Sequence, residues 1–335
     1  MTVRVFNTYA CFLFIMVSFS CFINSNIHIP VIFICLFLIC LTGDIKLDFG
    51  CKQILFLFLL LAWPYFSLLN DGGVYNAIGK SVKVFLSFLL CVIIIPHHDR
   101  PVFLLKFFLI LQLIFTTISF IYFGYDSGIM NSPRYHGFYL DANYTAVILM
   151  FLILHSSFKK SIFINMVATQ SATVIGTFFI SKIYKKKLLS GFYFIAFVFG
   201  ITSYLVANLN MDVVENTGFI SERINSFIFR FMAAVQGFNF VDNFGWEGHF
   251  FGVGSGRSYE FADRVVHSYY LQTMIDHGFL FMYAWLCLML YYSKKVNLRK
   301  DLQFSLLVIS LMIDVVSTLV WPLFIFIKRN MTFPK

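Results

Sequence analysis

The chain is a succession of apolar runs, each about as long as a bilayer is thick, separated by short polar breaks. A helix needs roughly 20 apolar residues to cross the hydrocarbon core, within a range of about 17–25. Candidate runs cover 5–24, 28–42, 53–70, 81–95, 102–123, 142–158, 161–181, 189–209, 268–292 and 303–328. One aqueous core cannot hide so much apolar surface. Of the 335 residues 59% are hydrophobic and only 12% are charged, whereas ordinary soluble domains carry about 25% charged residues. A soluble enzyme, a disordered tail, a collagen-like fibre and a coiled coil are excluded. Runs of this length favour helices over barrel strands. The expected fold class is all-α, a polytopic integral membrane protein with ten to twelve transmembrane or re-entrant helices. It forms a single membrane domain, 1–335, with one large outward loop at 210–267.

Charge sets the orientation. The net formal charge is +9, and basic residues in short loops stay on the inner side. With the N-terminus inside, that side collects Arg4, Lys46, Lys52, Arg100, Lys106, Lys159 and Lys160, whereas the other receives only Lys80, Lys83 and Arg134. On this reading Lys83 and Lys106 lie near span ends and snorkel. No basic stripe interleaved with aromatics lies outside the membrane, so nucleic acid is not an expected partner. The runs 161–181 and 303–328 have basic clusters at both ends. A single crossing would leave one cluster outside. A turn near Thr169-Gln170-Ser171 and another between Asp314 and Thr318 resolve the conflict.

Cysteines and motifs exclude several chemistries. Six of the seven cysteines sit inside apolar runs and none form a CxxC pair, so neither a disulfide framework nor a zinc site is expected. The first apolar run lacks a small-residue cleavage site and a second follows at once, so no cleavable signal peptide is expected. Asp48-Phe49-Gly50 imitates a kinase triplet without the accompanying motifs. No Asp-x-Asp pair occurs, and no cofactor is expected.

Polar chemistry gathers on the outer side. The 210–267 loop contains Arg223, Arg230, Arg257 and Arg264 but no lysine, and the shorter outer loop adds Arg134. Arginine presents a planar fork that binds phosphate bidentately, whereas lysine is a point charge. The pattern points to a phosphorylated ligand, with surface ion pairs to nearby acids as the bland alternative. Ile220, Ile224, Phe227, Phe231 and Val235 recur at helical spacing. They predict an amphipathic helix over 219–236 lying in the interface. Arg223 and Arg230 are two turns apart, about 10 Å, on one edge of its apolar stripe. Gly252-Val253-Gly254-Ser255-Gly256-Arg257 follows. No strand–helix context makes it a dinucleotide site, which leaves either a loop whose backbone N–H groups approach a ligand or an ordinary turn. His267 stands where the loop enters the next helix, a position suited to a general base. Tyr269 and Tyr270 suit an aromatic belt. Asp276-His277 and Asp314 place ionisable groups inside apolar runs, which marks them for function.

These pieces form a pattern. Arg134-Tyr135-His136-Gly137 followed by Asp141-Ala142-Asn143, the Thr169-Gln170-Ser171 turn, Arg230, Gly252-Val253-Gly254, His267-Ser268-Tyr269-Tyr270-Leu271 and Asp276-His277-Gly278 resemble, in that order, motifs of the O-antigen polymerase and ligase superfamily. The match spans residues 134–280. This chain has Ala142 where the family often has proline, Ala172 where it often has arginine and Ser268 where it often has asparagine. The resemblance implies a metal-independent glycosyltransferase of the bacterial inner membrane with a cytoplasmic N-terminus and a periplasmic active site. It implies donor and acceptor glycans linked to undecaprenyl diphosphate within the lipid bilayer. Its partners would be a chain-length regulator and a flippase. On this pattern His267, Arg230 and Arg134 are the catalytic candidates, and Asp263 and Asp141 are reserve bases. Arg223, Arg257, Asp141, Asn143, Gly252, Gly254 and Tyr270 are substrate-binding candidates. A ligase acting on lipid A–core would share the motifs. A flippase or transporter belongs to another class, for which ionisable groups through the middle of several spans are expected.

Overall fold

The computed structural model describes residues 27–42, 45–70, 73–95, 142–155, 159–169, 171–183, 188–208, 219–255, 257–261 and 268–330, with isolated positions between 10 and 18 and between 110 and 118. The described chain is mostly helical. In order it contains α1 (His28–Thr42), β1 (Lys46–Leu47), α2 (Cys51–Ala62), a 3-10 segment (Trp63–Asn70), α3 (Val74–Val92), β2 (Ile93–Ile94), α4 (Ala142–His155), α5 (Lys159–Ala168) and α6 (Ala172–Ile183). There follow α7 (Leu188–Asn208), α8 (Phe219–Asp242), α9 (Gly245–Phe251), a 3-10 turn (Arg257–Glu260), α10 (Tyr269–Lys295), α11 (Lys300–Ile309) and α12 (Val320–Asn330). By length and composition, three segments among the described residues can cross a membrane: Cys51–Leu69, Val74–Val92 and Tyr269–Lys295. The surface of the first agrees, since its outward side chains include Leu55, Phe58, Leu59 and Leu69. Such contiguous apolar exposure suits lipid rather than water.

The chain forms two compact units, one of residues 1–49, 86–180 and 322–335 and the other of residues 50–85 and 181–321. In the first, α4 is buried along Ala146–Ile153 and Phe151 stacks on Phe324 with ring centroids 4.2 Å apart. β1 and β2 pair antiparallel, Lys46 opposite Ile94. Asn330 accepts from the Ile95 N–H at 2.8 Å, and Arg329 donates to Asp48 at 2.5 Å, so both tie the C-terminal helix to this small ladder. Helices α5 and α6 fold back on each other, because Phe163 touches both Phe178 and Phe179. The helix breaks between them at Thr169–Ser171, where the basic clusters called for a turn.

In the second unit Pro64 lacks the N–H that would continue the α2 ladder, and the chain tightens into the 3-10 segment. Helix α8 extends the expected amphipathic helix to Phe219–Asp242 and packs on α7, α9 and α10. The break between α11 and α12 includes the expected 314–318 turn, where the Asp314 carboxylate accepts from the Ser317 N–H at 2.8 Å.

Two expectations are corrected. The run 268–292 is not one rod. Gly278 interrupts α10 with φ 81° and ψ 165°. Tyr269 then donates to the Met282 carbonyl at 3.0 Å, and its ring lies 6.0 Å from that of Trp285. In a straight helix Tyr269 and Met282 would be about 20 Å apart along the axis. The two halves therefore fold back on one another. The second correction concerns Lys80 and Lys83. Helix α3 starts at Val74, earlier than the apolar run implies, so Lys83 lies inside it rather than at its end, and Lys80, expected in the loop before the run, lies inside it as well.

Candidate functional site

The break at Gly278 creates a backbone problem that the second unit solves. Near a helix end, carbonyls lose their intrahelical partners, and in a buried site they must find others. Three consecutive carbonyls do so. Val253 N–H donates to Ile275 at 2.7 Å and Gly254 N–H to Asp276 at 3.1 Å, while the Trp63 indole N–H donates to His277 at 3.0 Å. The glycine-rich segment thus crosses directly over the broken helix. Glycine is required on both sides. A Cβ on Gly252 would lie 2.3 Å from the His277 nitrogen, and one on Gly278 would lie 1.9 Å from the Phe250 oxygen.

A polar cluster surrounds this crossing. Ser255 Oγ lies 3.0 Å from His277 Nε2, and Gln272 Nε2 donates to Asp276 Oδ1 at 2.7 Å. Asn76 Nδ2 donates to the Ser255 carbonyl at 2.8 Å. Asp276 and His277 are buried. Lys80 is buried as well; it donates to Ser317 Oγ at 3.0 Å and its ammonium lies 5.2 Å from the centroid of the Trp285 ring. Lys80, Lys83 and Asp314 all act electrostatically on Asp276 or on one another. Buried charges among apolar helices are costly and signal function. Ser255, Gln272 and Lys80 were missed by sequence reasoning. Asn76, Lys80 and Lys83 recur at helical spacing, and that polar stripe was the available signal.

The expected site residues fall into three groups. Arg134, Asp141 and His267, together with the reserve base Asp263 and the side chain of Arg223, lie outside the described residues. In the first unit, Asn143 and Ser171 are brought together: Ser171 Oγ donates to Asn143 Oδ1 at 2.8 Å. In the second unit Arg230 is half-buried on α8, next to Phe231, whose ring lies 5.0 Å from that of Phe199 on α7. Tyr270 donates its hydroxyl to the Leu307 carbonyl at 3.1 Å. Gly252 donates to Gly248 at 2.9 Å and Gly254 to Asp276. The N–H groups of Val253 and Gly254 serve the broken helix, and that of Gly252 closes the end of α9. Arg257 forms a bidentate pair with Glu260 at 2.7 and 2.8 Å, and its guanidinium lies over Phe240 and Phe244. That hydrogen-bonded guanidinium holds the Glu260 carboxyl below its usual range. No group of three or more possible metal ligands occurs among the described residues.

Fold and site together define a mostly helical protein with helices long and apolar enough to cross a membrane and a buried polar crossing built on a broken helix. No family model, curated protein or solved structure matches this chain.

Proposed function

We propose that the chain is an inner-membrane glycosyltransferase that polymerises undecaprenyl-diphosphate-linked repeat units into O-antigen or a related surface polysaccharide on the periplasmic face. One observation carries the reading. The segments that hold the later motifs, namely the Arg230 helix, the glycine segment and the helix after His267, pack into a single cluster. Gly237 of the arginine helix packs against Leu271 and Ile275, and the glycine segment is hydrogen-bonded to the same helix. In the other unit the Asn143–Ser171 bond joins the two earlier motifs.

The chemistry suits this arrangement. A diphosphate leaving group needs positive charge aimed at its oxygens in a site shielded from water, rather than an acid to protonate it. Arg134, Arg223 and Arg230 supply that charge. His267 acts as base toward the acceptor hydroxyl. Ten to twelve membrane segments hold the polyprenyl tails, the 210–267 loop faces the periplasm, and a flippase and chain-length regulator work beside the enzyme. A second reading, a lipid-linked oligosaccharide transporter, is favoured by Lys80 and Asp276, which are buried inside two of the long apolar helices.

A gel of surface glycolipids from cells with and without the gene, read with the undecaprenyl-linked pool, tests the proposal. Without a polymerase the ladder collapses to core plus one repeat. Long glycan stranded on undecaprenyl identifies a ligase instead. Lipid-linked units piled up inside, with no repeat at the surface, identify the transporter.

A further inference from the structure

We propose that α9 is an outer-leaflet anchor, seated through Trp246, Phe250 and Phe279 in the headgroup layer of the bilayer, so that this part of the 210–267 loop rests on lipid whether or not the chain is a glycosyltransferase. Helix α9 faces the wrong way for a helix in water. Its buried side is Gly248, where an added Cβ would lie 2.7 Å from Phe244 Cβ and 2.8 Å from the Val241 oxygen. Trp246 and Phe250, about one turn apart, lie on the opposite side, and 65% of Trp246 and 40% of Phe250 are exposed. The Phe279 ring, 43% exposed, lies 6.1 Å from that of Phe250 and continues the patch. The polar groups lie at the flanks. Glu247 is exposed on one, and His249 on the other is bonded to Asp242 at 2.6 Å. In water the side turned away from the protein would be the polar one.

Hydrogen bonds along the second unit set the depth of this patch. Helix α2 with its 3-10 extension lies beside the second half of α10. Near one end Gln53 Nε2 donates to the Tyr291 hydroxyl at 3.0 Å, and near the other Trp63 Nε1 donates to the His277 carbonyl at 3.0 Å. The aromatic patch belongs to the Trp63 end. Phe251 packs on Trp63 and Phe66 with ring centroids 5.8 and 5.4 Å apart, and Trp246 lies 6.2 Å from Phe251. Trp63 and Phe66 are in the final 3-10 stretch of the apolar segment Cys51–Leu69. The patch therefore stands at the level where that segment leaves the hydrocarbon, which is where tryptophan and tyrosine gather in a membrane protein. Exposed Lys52, Lys294 and Lys295 mark the other end. Basic residues stay on the inner side, so the patch lies on the outer one.

An exposed tryptophan beside two acids also resembles a platform for a sugar ring. Lipid is favoured for two reasons. A sugar subsite needs polar groups converging on the ligand, whereas here the acids stand at the flanks and Asp242 already engages His249. The exposed rings also run on from Trp246 through Phe250 to Phe279, and through Phe251 to Phe66 on the apolar segment itself. Such a continuous apolar surface marks contact with a membrane. The anchor has a structural consequence. Gly252 follows α9 directly, so the glycine crossing is held at the level of the lipid phosphates.

The test uses the full-length protein in phospholipid vesicles and reads tryptophan fluorescence. Subtracting the emission of Trp246→Phe from that of the wild type isolates Trp246 from Trp63, Trp285 and Trp321. That difference should be quenched strongly by phospholipids brominated near the headgroup, less by those brominated near the chain end, and hardly by aqueous iodide. Strong quenching by iodide with none by brominated lipid overturns the proposal. So does a difference emission that responds to soluble oligosaccharide and ignores lipid bromine, which identifies a glycan platform instead. A second measurement uses sealed right-side-out membrane vesicles and a membrane-impermeant maleimide, read above the labelling of the wild-type cysteines. Glu247→Cys, at the flank of α9, should label several-fold faster than Phe250→Cys. Equal rates overturn the lipid contact, and labelling of both only after lysis overturns the outer-leaflet placement.

Discussion

Gly278→Ala is the most direct probe of the broken helix. The residue sits at φ 81° and ψ 165°, a region essentially restricted to glycine, where another residue costs about 1–3 kcal/mol. An added Cβ would also lie 1.9 Å from the Phe250 oxygen and 2.2 Å from its carbonyl carbon. Backbone cannot yield cheaply, so the glycine segment must move away. That movement pulls Val253 and Gly254 off the carbonyls of Ile275 and Asp276. Each buried group left unpaired costs about 1–3 kcal/mol. Strain and two lost bonds together come to about 3–9 kcal/mol, a large share of the roughly 5–15 kcal/mol that holds a typical domain. Gly79→Ala is the control in the same unit, because it lies inside α3 and its added Cβ meets nothing within 4 Å. It should gain about 0.5–1 kcal/mol. The assay is size-exclusion elution in detergent after stepwise heating. Gly278→Ala should elute as aggregate or melt many degrees early, and Gly79→Ala should match or exceed wild type. Gly278→Ala protein as heat-stable as wild type would refute the broken-helix geometry.

Other outcomes follow from the same structure. Arg230→Lys keeps the charge but loses the planar fork, so polymer formation should fall severely with normal membrane insertion; normal polymer would remove Arg230 from diphosphate binding. Ser171→Ala deletes the bond to Asn143 and should cost about 0.5–1.5 kcal/mol, read as a lower melting midpoint. Burial pushes the Asp301 carboxyl up, but bonds from Arg299 and Lys182 outweigh it and hold it below its ordinary value of 3.8. A depressed acid stabilises the fold above its unfolded pKa and loses that contribution as pH falls through the folded one. Asp301→Asn should therefore melt earlier at neutral pH, and the gap should close as pH drops below 3.8. A gap independent of pH would contradict the ion-pair account. A cysteine engineered beside Lys186 should react only with reagents that reach the cytoplasm.

What the sequence disclosed and what it hid have physical reasons. Helix α1 ends where its apolar run ends, at Thr42, because hydropathy alone defines that element. The breaks at 169–171 and 310–319 were legible from lysines on both sides of a single run, since charge cannot be left on the wrong side without cost. The break at Gly278 was not legible. It lies inside a continuous apolar run, and hydropathy carries no information on φ. Nor was the purpose of the glycine segment clear. Its N–H groups could have faced a ligand, but those of Val253 and Gly254 face two carbonyls, of Ile275 and Asp276, that only the folded chain brings near. The depth of Lys80 was concealed by the polar start of α3, where Asn76, Gly79 and Lys80 mask a helix that begins at Val74. Asn143 and Ser171 were singled out by motif order, but only the fold shows their hydrogen bond.

The central claim is transfer of one lipid-linked glycan onto another by this chain alone. The purified full-length protein in proteoliposomes, supplied with an undecaprenyl-diphosphate-linked repeat unit and excess chelator, should release one undecaprenyl diphosphate for each glycosidic bond formed. Its products should be dimers and longer oligomers still attached to undecaprenyl. Intact repeat units carried across the bilayer with no new glycosidic bond would contradict the account.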